Sequence, residues 1–523
     1  MSENYIQHYK YWLNHLSHSE QGLVLEMDNF EVADAFSHHL LFGTAGVRAK
    51  IGLGPNRMNL YVVRRIISAY AKWLQSKGKT GILTTHDNRM FGNLFTQEVS
   101  NIMNYYGIKT YAFDSLRPSP MLSYFVRELK LDGGVNFTAS HNPKDFLGVK
   151  LVNNEGSQLL PEEIEEISLF LSDEDLFNSY RFQEPLEISL DIEMRYDEMI
   201  HSIITQDISS LNVIYSPLHG SGISIVPRLF PFVHLVQEQM DPSPYFPTID
   251  IPNPESREAY TLALQEAIKY DAELIIINDP DADRYGVMLL HNQSYEFLDG
   301  NQLGAILLQY LVQTRKPKNA VVYKTIATSS LGNLICQKHN IEVVETDIGF
   351  KWIGHEINQN TLKKNFLFAY EESHGCIIND SVRDKDGIQA VAMIMDAVAY
   401  YKARGKSLID IYQGIVEEYG THETETLSIP IKAIHKARIQ QSIEEYVEEH
   451  YLEFLEKDSK FQSTDSSVKM LHLHFPEGRL LIRPSGTEPL IKLYFESNHS
   501  IVDMKAYKKE FMTVLTTIVA AAG

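Results

Sequence analysis

The sequence predicts a multidomain α/β protein, in which related sheet-and-helix units follow one another and a smaller α+β domain closes the chain. Three observations carry this. Helix-period segments alternate with short strand-like apolar runs from Leu60 to Ser140, the rhythm of a mostly parallel sheet covered by helices. The rhythm then recurs twice, and after about residue 423 it gives way to strands in succession with helices to one side. At 523 residues the chain also exceeds what one hydrophobic core supports, and domains of ~100 to 200 residues would number three to four.

The elements follow in order. Leu60, Val63, Ile67, Tyr70 and Leu74 recur at helical spacing and Gly78 closes the pattern, which predicts a helix. The strand "GILTT", a helix across "NLFTQEVSNIMNYYG", the strand "IKTYAF", a helix across "PMLSYFVRELK" and the strand "GVNFTAS" complete the first unit. A second unit opens on "LNVIYSP", and a helix across "REAYTLALQEAIKY" leads into the buried strand "AELIIIND". The third contains the helix "NQLGAILLQYLVQTR", the strands "AVVYKT", "IEVVETD" and "FLFAYEES", and the helix "IQAVAMIMDAVAYYKARG". After "ETLSIPIKAIHK" come a helix, the strands "KMLHLHF", "RLLIRP" and "LIKLYFES", and a closing amphipathic helix from about Val502.

Composition narrows the function. A formal charge of −21 argues against general nucleic-acid binding, which needs clustered Lys and Arg on phosphates. The two cysteines, Cys336 and Cys376, have no metal-ligand spacing and fit a reducing cytoplasm. No apolar run is long enough to span a bilayer and the N-terminus is not a signal peptide, so neither membrane nor secretion is expected.

Four polar turns stand at the ends of apolar strands: "SHNP", "DPDADR", "EESHG" and "RPSGTEP". Ligands of open α/β sheets bind outside the carboxyl ends of the strands, so the first three have a shared reason to face a cleft. Asp279, Asp281 and Asp283 repeat at every second position and can converge on one hard cation, with Mg²⁺ favoured because it takes few carboxylates. An EF-hand is excluded, since its glycine and final glutamate positions hold Arg284 and Leu290; the alternative is a solvated acidic turn. "RPSGTEP" joins Arg483 to Ser485, Gly486 and Thr487, a combination suited to a phosphate dianion, or to a plain hairpin turn. Ser140 lacks the Gly-x-Ser-x-Gly of a hydrolase nucleophile. Beside an Mg²⁺ triad and a phosphate cradle, its hydroxyl is suited to carrying a phosphoryl group. Glu371 and Ser373 suit vicinal sugar hydroxyls, and "GTAGVR" with Lys150 adds small and cationic residues for phosphate.

Taken together in this order, with "YSPLHGSG" and "FPTIDIPNPE" beside them, the four turns resemble the α-D-phosphohexomutases, the phosphoglucomutase and phosphomannomutase superfamily. The likeness runs from about Gly43 to Phe495 and is nearest the branch containing bacterial phosphoglucomutase and phosphopentomutase.

The resemblance implies four domains around a central cleft, here 1–190, 191–303, 304–422 and 423–523. It implies Ser140 as the phosphoserine, with Asp279, Asp281 and Asp283 holding Mg²⁺ together with a phosphoryl oxygen on Ser140. Arg48, His141, Lys150 and Arg284 would surround the transferred phosphoryl, and Lys150 or His141 would move the proton. Glu371, Ser373, Lys351 and Lys385 would contact the sugar, and Arg483, Ser485, Gly486 and Thr487 the other phosphate. The expected activity interconverts α-glucose 1-phosphate and glucose 6-phosphate through glucose 1,6-bisphosphate, in the cytoplasm; phosphomannomutase, phosphopentomutase, a phosphatase and a non-catalytic sugar-phosphate regulator are the alternatives. Three departures from the family pattern occur: Leu147 in place of Asn, Ile348 in place of Thr, and Pro280 and Ala282 in place of a glycine pair.

Overall fold

The computed structural model describes residues 4–43, 46–432, 435–456, 470–484, 490–498 and 504–522. By internal contacts the chain divides into two units: Met1–Leu298 with Ile357–Gln359 and Gly375–Ala399, and Asp299–Glu356 with Asn360–His374 and Tyr400–Gly523. Among the described residues no helix is long and apolar enough to cross a membrane.

The first unit holds two mixed sheets. In one, the strand order is Val47–Lys50, Phe146–Asn153, Gly133–Phe137, Gly81–His86, Lys109–Ala112, Leu186–Glu187. The last four pair in parallel, as the helix and strand alternation predicts, but the first two add antiparallel. The reason is a hairpin. The strand expected to run through "GVNFTAS" ends at Phe137, and after a polar loop the chain returns along it as Phe146–Asn153. The other sheet repeats this device: Leu274–Asn278 runs parallel to Val213–Ser216, and Tyr285–His291 folds back antiparallel on it after "DPDADR".

The helices Leu60–Ser76 and Gly92–Tyr105 cover the first sheet over a core that includes Val63, Ile67, Tyr70, Phe95 and Phe137. Three N-terminal helices not foreseen in the sequence, Asn4–His15, His18–Leu25 and Asn29–Ala35, join the same core through Trp12, Leu16, Val24 and Ala35. Their buried apolar side chains are few, so they lack the stripe of Leu60–Ser76. Ser17 with Glu20 and Asp28 with Glu31 nevertheless form reciprocal capping boxes, which do leave a sequence signature.

In the second unit, Ala320–Thr325 pairs in parallel with Glu342–Thr346 on one side and Asn365–Glu371 on the other. The C-terminal sheet, in the order Glu423–Pro430, Leu490–Ser497, Gly478–Pro484, Leu471–Phe475, is antiparallel throughout. The helices Lys436–His450 and Lys505–Ala522 supply Ile439, Ile443, Phe511 and Leu515 to its core, the α+β arrangement expected.

Close helix-to-sheet approach in this unit depends on Tyr370, whose buried ring lies against Gly304 of the helix Gly300–Arg315 and Gly332 of the helix Leu331–Lys338. A Cβ at Gly304 would overlap that ring. In an unobstructed helix Gly→Ala stabilises by roughly 0.5–1 kcal/mol. Here overpacking reverses the sign, and Gly304→Ala is expected to lower the unfolding free energy by about 1–3 kcal/mol, read as an earlier transition in denaturant unfolding.

Candidate active site

The loops 138–145 and 279–284, at the ends of the strands Gly133–Phe137 and Leu274–Asn278, carry residues singled out in the sequence. Because Asn136 lies opposite Lys150 and Gly148 opposite Arg48, the register of the return strand brings these cations to the serine loop. Ser140 is buried and adopts a left-handed backbone, φ 49°, a conformation that a non-glycine residue holds only where its surroundings enforce it. Its Oγ donates to Asp279 Oδ2 at 2.6 Å and lies 3.3 Å from His141 Nδ1. Arg48 donates to Asn142 Oδ1 at 2.7 Å.

Asp279, Asp281 and Asp283 are no more than 1% exposed, and one carboxylate oxygen from each falls within 4.8 Å of the others. Burial, then the neighbouring Asp281 and Asp283, push the Asp279 carboxyl well above the ordinary carboxylate range. Burial works the same way on Asp281, but Lys150 overrides it and holds that carboxyl well below the range. The Lys150 ammonium sits 2.7 Å from Asp281 Oδ2 and 3.0 Å from Asp283 Oδ2. Although burial opposes its charge, Asp281 and Asp283 raise its pKa. Lys385 Nζ lies 3.4 Å from Asp283 Oδ2. Arg284 gives its backbone N–H to Asp279 Oδ1 at 3.0 Å and directs its guanidinium to Glu255, at 2.5 Å.

A cation fits this donor set. The lysines take the Oδ2 atoms, whereas Oδ1 of Asp281 and Oδ1 of Asp283 are buried without a hydrogen-bond partner. Such orphan oxygens suit a hard divalent ion. The departures from the expected motif have physical reasons here. Ala282 takes φ 51°, the left-handed region that glycine enters at least cost, so alanine keeps the turn with local strain. Leu147 turns into the hydrophobic core of the first sheet, away from the polar loop.

The second unit carries the remaining candidates. Glu371 ends its strand and accepts from Ser373 Oγ at 2.8 Å. Lys351 is buried at the start of the helix Phe350–Gln359. Asp347, whose carboxyl is raised by burial, feels both Arg483 and Lys351, which pull it the other way; the expected phosphate contact and one expected sugar contact are therefore electrostatic neighbours. Ile348 packs with Ile326, Ala327, Leu481 and Tyr494. Ser485, Gly486 and Thr487 lie outside the described residues.

The sequence matches four domains described as phosphoglucomutase/phosphomannomutase: alpha/beta/alpha domain I over residues 39–176, domain II over 195–292, domain III over 299–419 and the C-terminal domain over 453–514. It is 34% identical to phosphoglucomutase of Staphylococcus haemolyticus, across 88% of this chain and 91% of that one. Among solved structures it resembles the open form of Paramecium parafusin (phosphoglucomutase), at TM-score 0.69 and 17% identity, covering 91% of this chain and 95% of that one. It also resembles Aspergillus fumigatus N-acetylphosphoglucosamine mutase in complex with GlcNAc-6P and magnesium, at TM-score 0.52 and 13% identity, covering 97% and 100%. At these identities the two structures bear on the fold.

Two residues that sequence reasoning missed hold the loops in place. Ser119, at the start of the helix Ser119–Glu128, donates to Asp281 Oδ2 at 2.7 Å and accepts from Asn136 Nδ2 at 2.5 Å. Arg89 is 3% exposed and donates to the carbonyls of Ser140, Asn142, Pro143 and Phe146, at 2.5 to 2.9 Å. Asp87, itself buried, lies 3.4 Å from Arg89 Nε and accepts its backbone N–H at 2.8 Å. Only a guanidinium spans four carbonyls in this way. Arg89→Ala would leave Asp87 buried and unpaired, at about 3–5 kcal/mol. Proteolysis within 140–146 should accelerate in Arg89→Ala and, to a smaller extent, in Arg89→Lys.

Proposed function

The chain belongs to the phosphoglucomutase/phosphomannomutase family, and on that premise we propose that it interconverts α-glucose 1-phosphate and glucose 6-phosphate through a phosphorylated Ser140 and a glucose 1,6-bisphosphate intermediate. The observation that carries this reading is the 2.6 Å hydrogen bond from Ser140 Oγ to Asp279, inside a buried carboxylate triad with unpartnered oxygens. A phosphoryl store needs cation-binding oxygens and fixed positive charge, and the Oδ1 atoms of Asp281 and Asp283 and the Lys150 ammonium supply both.

In the reaction, the bond from phosphorus to Ser140 Oγ breaks as the bond to the sugar 6-oxygen forms. The proton lost by that hydroxyl ends on Ser140 Oγ, where Asp279 Oδ2 accepts its hydrogen bond. Lys150, 2.7 Å from Asp281 Oδ2 and 3.0 Å from Asp283 Oδ2, is our choice for a countercharge beside the triad. His141, with Nδ1 3.3 Å from Oγ, is our choice for moving the proton. Asp279, Asp281 and Asp283, with an oxygen of the serine phosphate, would hold Mg²⁺. When bound, that ion neutralises charge on the transferred group, the main demand of phosphoryl transfer.

Arg48 and Arg284 are proposed to meet the phosphoryl group, Glu371, Ser373, Lys351 and Lys385 the sugar, and Arg483, Ser485, Gly486 and Thr487 the phosphate that is not transferred. The domain limits 1–190, 191–303, 304–422 and 423–523 are proposed on the same basis.

A coupled assay for glucose 6-phosphate, with free phosphate measured alongside, tests the reading. We expect mutase turnover without phosphate release, a phosphorylated fraction by intact mass that maps to Ser140, and loss of both in Ser140→Ala. Full activity in that variant would reject the mechanism, and stoichiometric phosphate release would make the enzyme a phosphatase. Mannose 1-phosphate should be slower and ribose 1-phosphate slower still; a clear ribose preference overturns the glucose assignment alone. For Arg483→Ala, loss of a charged hydrogen bond of ~1.5–3 kcal/mol predicts roughly a ten- to hundredfold fall in kcat/KM.

A further inference from the structure

On the C-terminal sheet, Leu455 forms an isolated antiparallel bridge with Leu473. The Glu456 N–H donates to the His472 carbonyl at 3.0 Å, and the His474 N–H to the Phe454 carbonyl at 2.8 Å. The segment 454–456 therefore lies along the edge strand Leu471–Phe475. Side chains alternate across a strand, and Leu473 and Leu455 face the hydrophobic core. Glu456, His472 and His474 consequently share the opposite face, where they line a cavity of about 550 Å³ together with Glu345, Arg479 and Glu496.

Their donor atoms converge. Glu456 Oε2 lies 2.7 Å from His472 Nδ1 and 3.2 Å from His474 Nε2, and the imidazole centroids are 4.0 Å apart. His472 is 5% exposed; its Nδ1 faces Glu456 Oε2, and its Nε2 has no hydrogen-bond partner among the described residues. A buried ring nitrogen left without a partner calls for an explanation, and here its imidazole stands beside a second imidazole and a carboxylate. The neighbouring charges do not supply one. Arg479 pairs with Glu496 at 2.6 Å and Lys324 with Glu345 at 2.8 Å, which leaves the Glu456 carboxylate as the excess charge of the group.

We propose that Glu456, His472 and His474 form a second metal site, for a borderline divalent ion of the Zn²⁺ class. Two imidazole nitrogens and one carboxylate oxygen match that class, with a position left open for water. Mg²⁺ prefers an all-oxygen shell, so the two sites of the chain select different ions. A bound ion joins the segment 454–456 to the edge strand and stabilises the C-terminal sheet there.

The test uses the full-length, chelator-stripped protein titrated with Co²⁺ as a spectroscopic probe, and with Zn²⁺, in excess Mg²⁺. The expected result is one equivalent bound with visible d–d absorption and a raised Tm, unchanged in Asp281→Asn. In His474→Gln and Glu456→Gln, both at exposed positions, affinity should fall by at least about tenfold, since losing even a residue that supports a ligand costs 10–100-fold. Absence of saturable binding in excess Mg²⁺, equal affinity in His474→Gln, or binding lost only in Asp281→Asn would each overturn the site.

Discussion

Three carboxylates in one buried hairpin loop are the constraint around which the first unit is organised. Two charges 4 Å apart repel by on the order of 4 kcal/mol at an effective dielectric of 20, so the loop that carries Asp279, Asp281 and Asp283 persists only where charge and hydrogen bonds meet it from several directions. Lys150 arrives through the register of a return strand, Ser119 from a helix start, Ser140 from the companion loop and Lys385 from far along the chain. The backbone is fitted to the same end. Gly387 donates its N–H to the Ala282 carbonyl at 3.0 Å, and a Cβ there would stand 2.5 Å from Asn278 Nδ2. The serine loop depends in turn on Arg89, which fixes the carbonyls of Ser140 and of three residues after it.

A second buried charge organises the other unit. Glu496 accepts from Ser329 Oγ, the Ser330 N–H and Ser330 Oγ, at 2.7 to 2.8 Å, and from Arg479 Nε at 2.6 Å. Burial resists its ionisation, but Arg479 and these donors hold its carboxyl far below the usual range. Arg479 also donates to the carbonyls of Ile326 and Thr328. The C-terminal sheet is thus tied to the loop after Ala320–Thr325 by polar bonds on one side and by Ile348, Leu481 and Tyr494 on the other. An isoleucine at 348 makes sense as part of that apolar seam.

Where a signal repeats, the sequence made the fold readable. The helix Leu60–Ser76 and the parallel strands show a period, and the convergence of the aspartates follows from alternate spacing in a short loop. The return strands Phe146–Asn153 and Tyr285–His291 escaped notice because they are buried along most of their length, and so lack the alternation that marks a half-exposed strand. Arg89 escaped for another reason: it recognises backbone carbonyls, which every residue possesses, so nothing at Ser140 or Asn142 advertises a partner. Ser119 stands between two prolines just before the segment "PMLSYFVRELK", with nothing local to mark a partner at Asp281. Polar residues whose partners are distant in sequence and generic in chemistry leave no local pattern, whereas clustered residues with one shared ligand do.

The discontinuity of the first unit bears on the order in which the molecule can be completed during synthesis. Its last portion, Gly375–Ala399, emerges from the ribosome only after Asp299–Glu356 of the other unit. Until Lys385 and Gly387 are made, the aspartate loop lacks one of its cations and the backbone that seats Ala282. The nascent chain must therefore carry an unfinished acidic loop through the translation of a large part of its second half, with Lys150 and Ser119 as its early partners. Premature termination between Leu298 and Gly375 would release a chain with its serine and aspartates present but their enclosure missing, a natural substrate for quality-control proteolysis.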